Sequence, residues 1–115
     1  MNNQKRIEVL EGLKQAALNR ELNGDEGVYY RQYDGCMCAV GYLLKESGFD
    51  PEELGRFYST NVFGVPDKWR DELERYGFSI SDASHLQNAN DSNDWEKVAE
   101  MAEEAKSKVP DDDLT

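Results

Sequence analysis

Apolar positions return every three or four residues along most of the chain, the spacing that stacks side chains on one helix face. Ile7, Leu10, Leu13, Ala17 and Leu18 form the first such stripe. They predict a helix over about 4–23, ended by Gly24, since glycine enters the left-handed region without a Cβ penalty. The next segment, Ala39-Val40-Gly41-Tyr42-Leu43-Leu44, is apolar nearly all round. A helix from Cys38 to Ser47-Gly48 therefore belongs in the middle of a core, with Gly41 letting another backbone come close. Asp50-Pro51-Glu52-Glu53 carries a cap, a first-turn proline and a capping-box glutamate, predicting a short helix over 51–57.

Residues 58–65 read as a loop anchored on the core by Val62 and Phe63. Pro66 or its neighbour opens a helix in which Trp69, Leu73 and Tyr76 share one face, and Gly77 closes it. Ser79 or Ser81 caps a further helix through Ala83, Leu86 and Ala89, and 88–93 reads as a polar break. The final helix, 94–108, turns Trp95, Val98, Ala99, Ala102 and Ala105 inward and Glu96, Glu100, Glu103 and Glu104 outward. One stretch lacks the helical period. Residues 28–34, aromatic and β-branched, read as a strand, and Asp34-Gly35 as the turn after it. The pattern as a whole predicts a mostly α domain of five to six helices with one short extended or β-hairpin segment, or else an α+β fold.

A chain of 115 residues suits one domain, here 1–109, followed by an acidic tail at 110–115. Asp and Glu number 24 against 13 Lys and Arg, a net charge of −11. That balance argues against a phosphate backbone as the main partner, which would call for a basic stripe. No apolar run is long enough for a membrane span or a secretory signal, so the expected place is the cytoplasm. Cys36 and Cys38 are one residue apart, too close for an unstrained bridge, which also fits a reducing compartment.

Three groups could carry chemistry. Cys38 opens a helix, where amide dipoles can favour a thiolate, and with His85 and Asp91 it could make a cysteine-dependent amidohydrolase or acyl transferase. A buried, inert cysteine is the competing reading. Tyr29, Tyr30 and Tyr33 could anchor a protein partner or simply cover the core. Glu96, Glu100, Glu103 and Glu104, continued by Asp111, Asp112 and Asp113, form a strip of one sign that could steer the domain to a basic surface or only keep it soluble. Metal and cofactor sites are not expected. Cys36, Cys38 and His85 fall short of a four-ligand zinc site, and a calcium loop from Asp91 would place Trp95, Glu96 and Ala102 at its fifth, sixth and twelfth positions. The nine glycines stand singly, so no phosphate-cradling loop is present.

Tyr30-Arg31, Asp34-Gly35, Cys38-Ala39-Val40-Gly41, Phe49-Asp50-Pro51, Leu86-Gln87, Asn90-Asp91 and Trp95 occur in that order over residues 29–101. The series resembles a group of small uncharacterised phage and prophage proteins. Where that group carries histidine before the aspartate, this chain has Asn90, a departure that favours a non-enzymatic role. The resemblance implies phage origin more than chemistry.

The expected function is that of a small acidic phage-type accessory protein in the cytoplasm of a bacterial host. It would bind and inhibit a host protein with a basic surface, of the kind that holds nucleic acid, by presenting carboxylates in place of phosphates (anti-defence or anti-CRISPR-like). No direct nucleic-acid or membrane partner is expected. Alternatives are the Cys38–His85 enzyme and a structural homo-oligomer module.

Overall fold

The computed structural model describes residues 2–22, 24, 29, 37–56 and 62–110. Among the described residues six α-helices follow one another: α1 Asn3–Leu18, α2 Ala39–Glu46, α3 Pro51–Arg56, α4 Asp67–Arg75, α5 Ile80–Asp91 and α6 Trp95–Lys106, with a 3₁₀ turn at Val62–Gly64 between α3 and α4. Local chemistry sets most of the starts. The Asn2 carboxamide accepts the Lys5 amide at 2.8 Å. Ser79 and Asp82 form a reciprocal capping box. Asp94 accepts the Lys97 amide at 3.2 Å, and Asp50 accepts the Glu52 amide at 3.0 Å. Glu53, expected to complete a capping box, pairs with Lys68 at 2.7 Å.

α1 and α6 make the most extensive helix–helix contact. They run antiparallel, since Lys14 meets Glu103 while Glu11 meets Lys106. Val9, Leu10, Leu13 and Ala17 of α1 are buried, as are Val98, Ala99, Ala102 and Ala105 of α6, and the alanines let the two backbones approach closely. α2 lies in the middle, touching α1, α3, α4 and α5. Its Ala39, Val40, Leu43 and Leu44 have no exposed surface, as a helix apolar all round requires. Trp69, Leu73 and Tyr76 seal α4 onto it. Gly77, at φ +92°, then ends α4 with Phe78 N–H on the Leu73 carbonyl and Gly77 N–H on that of Glu74, a Schellman closure. Among the described residues the buried apolar side chains form one cluster.

Several expectations are corrected. The fold is all-α: no β-strand occurs among the described residues, so neither the hairpin nor the α+β alternative stands. The segment's described ends share one backbone hydrogen bond, Cys38 N–H to the Tyr29 carbonyl at 3.2 Å. Met37 makes an isolated β-bridge rather than a strand, and the next residue, Cys38, is already the N-cap of α2. Residues 30–36, with the Asp34-Gly35 turn, lie outside the described residues. α1 stops at Leu18 rather than near residue 23: Arg20 takes the left-handed conformation (φ 58°), and Glu21 N–H bonds the Ala16 carbonyl. Gly24 has a different role, as a Cβ there would overlap the Asn93 side chain. The supposed polar break at 88–93 is helical through Asp91, with Asn93 (φ 58°) turning the chain into α6. Phe63 points outward at 54% exposure, while Val65, also in that loop, is buried.

Candidate functional site

The start of α2 gathers the groups considered for catalysis. Cys38 is the N-cap, and its Sγ accepts the Gly41 amide at 3.3 Å. The Ala39 amide donates to Asn90 Oδ1 at 2.9 Å, so a side chain of α5 caps α2 from 51 positions away. The Tyr29 carbonyl sits against Gly41, where a Cβ would collide with it. The close approach expected at Gly41 is therefore made by the Tyr29 backbone.

Cys38 is 2% exposed. Burial pushes its thiol up to about 12, the Gly41 amide pulls the other way, and the charge of Asp91 adds to the rise. The helix-start dipoles do act on the sulfur, but desolvation outweighs them. Asp91 lies at the end of α5, within electrostatic reach of Cys38 and Tyr29. His85 is exposed on the same helix. It lies about 140° round the axis from Asn90, the residue that touches α2, at about 100° per residue. The fold thus brings the carboxylate near the thiol and turns the imidazole away. Cys36 lies outside the described residues.

Tyr29 is also inside. It is 1% exposed, its ring stands edge-on to Trp69 with centroids 5.5 Å apart, and Gln87 Nε2 donates to its hydroxyl at 3.0 Å. Burial raises its phenol above the ordinary range, against the Gln87 hydrogen bond. As a partner anchor it is unavailable. Tyr30 and Tyr33 lie outside the described residues.

Glu96, Glu100, Glu103 and Glu104 are all exposed on α6. Their spacing places them within about 100° of arc. They are not a uniform strip. Glu103 sits between Lys106 at 3.1 Å and Lys14 at 3.3 Å, and Lys106 also reaches Glu11 at 3.3 Å. The hydrogen bond from Lys106, and then that from Lys14, holds the Glu103 carboxyl below the usual carboxylate range. Glu100 lies 3.8 Å from Lys97, and Glu104 4.0 Å from Lys108. Glu96 stands in the first turn, where the helix dipole favours an acid. The contribution of α1 to this face, Glu11 and Lys14, was not legible locally, because only the antiparallel pairing with α6 brings it there. Asp111, Asp112 and Asp113 lie outside the described residues.

A second polar cluster joins α1, α2 and α4. Arg6 Nε donates to Glu72 Oε2 at 3.2 Å and Arg75 Nη1 to Glu72 Oε1 at 3.1 Å. The Ser47 hydroxyl lies 2.6 Å from that of Tyr76 and 3.3 Å from Glu72 Oε2. Burial pushes the Tyr76 phenol up to about 12, against the Ser47 hydrogen bond. Arg6 and Glu72 are both buried, so each needs the other.

Room for a small-molecule substrate is scarce at the surface hollow lined by Phe78, Asp82, Met101, Glu104, Ala105 and Lys108. It holds about 40 Å³, against several hundred for ligand pockets in general. Among the described residues no group of three or more His, Cys, Asp or Glu could hold a metal ion, and no helix is long and apolar enough to cross a membrane. No known protein family, curated protein or solved structure matches the chain.

Proposed function

We propose that the protein is a binding module without catalysis of its own, which docks a cationic protein surface through the carboxylates of α6. One contrast carries the reading: the thiol is sealed beneath the fold as a helix cap, while Glu96, Glu100, Glu103 and Glu104 share one exposed face. A net charge of −11 adds a long-range field that would speed encounter with a basic partner and repel nucleic acid. Glu96 and Glu100, at the end of the helix away from the Lys14–Glu103–Lys106 bridge, carry most of the attraction. With the sequence pattern resembling phage and prophage proteins, the proposed partner is a bacterial host protein whose basic surface otherwise holds nucleic acid. Occupying that surface would inhibit it.

The test compares the protein with its Glu96→Lys/Glu100→Lys variant, each immobilised and exposed to bacterial host lysate at low and moderate salt. The expected result is a protein retained by the parent at low salt, released as salt rises, and lost from the variant. A partner held equally by both, or held without regard to salt, would overturn the proposal.

A further inference from the structure

We draw no further inference here: the strongest candidate, the surface patch where the 48%-exposed Leu18 ends α1 alongside the Glu96 and Glu100 end of α6, carries nothing because one exposed leucine beside an acidic cluster points to no ligand and nothing in the structure shows what covers it.

Discussion

The start of α2 and the outward face of α6 hold comparable amounts of polar chemistry and put it to opposite use. At α2, the Cys38 thiol, the Asn90 carboxamide and the Tyr29 carbonyl and phenol are packed out of water, and each is engaged by a named neighbour: Gly41, Ala39, Cys38 and Gln87. On α6, four carboxylates stay in solvent, and the lysines that meet them are exposed or half-buried. A buried polar group that loses its partner keeps its full desolvation cost, whereas an exposed ion pair contributes little either way. Residues at α2 are fixed by the fold, and those on α6 stay in solvent, as the proposed docking requires.

That contrast predicts a graded series. Tyr29→Ala should be the most damaging, removing a fully buried aromatic side chain at about 3–5 kcal/mol, read as a drop in the urea midpoint. A variant of full stability that had lost only partner binding would return Tyr29 to the surface. Asn90→Ala should follow at about 1–3 kcal/mol, the cost of leaving the Ala39 amide buried without its acceptor. An unchanged midpoint would show that α2 does not need the cap from α5.

Alkaline pH sharpens the same side of the comparison. The folded state holds the Cys38 proton up to about 12, while the unfolded chain releases it near 9.0. Between those values the unfolded state binds fewer protons, so stability falls as pH rises. By pH 10 the loss from this group should reach about 1 kcal/mol, at about 1.4 kcal/mol per pH unit of separation. Denaturation at pH 8 and pH 10 should show the parent losing more than Cys38→Ala; equal losses would place the thiol in contact with water. The smallest stability change belongs to Glu96→Lys/Glu100→Lys, about 1 kcal/mol at most, because Glu96 sits where the helix dipole favours an acid and Glu100 lies beside Lys97 on an exposed face. A large fall in its urea midpoint would mean that these carboxylates hold the fold together.

The sequence made the helices legible wherever an element is specified by its own residues. Ser79, one of two serines expected to cap α5, does so, Gly77 ends α4, and the Trp95–Ala105 stripe of α6 faces the core as its period requires. It misled where distant contacts decide. Asn88-Ala89-Asn90-Asp91 has the composition of a turn, yet Asn90 is held in a helix by an amide 51 positions earlier. Asn19 to Leu22 could have continued α1, but Arg20 enters the left-handed region at a cost of about 1–2 kcal/mol, and Leu22 is buried beyond it. The aromatic run at 28–34 suggested a strand by propensity, while Tyr29 is used as a core side chain against Trp69. For the site, the outward glutamates follow from helical period alone. The neutralisation of Glu103 does not, because Lys14 comes from another helix.

A thiol that belongs to the fold, beside carboxylates left for docking, is what we propose. The most direct test is the rate of alkylation of Cys38 by iodoacetamide at pH 8, in a Cys36→Ser background so that one thiol is followed. Modification should proceed no faster than the protein unfolds, rising with urea as the native population falls. Labelling of the native protein at the rate of a free thiol, or faster, would contradict it.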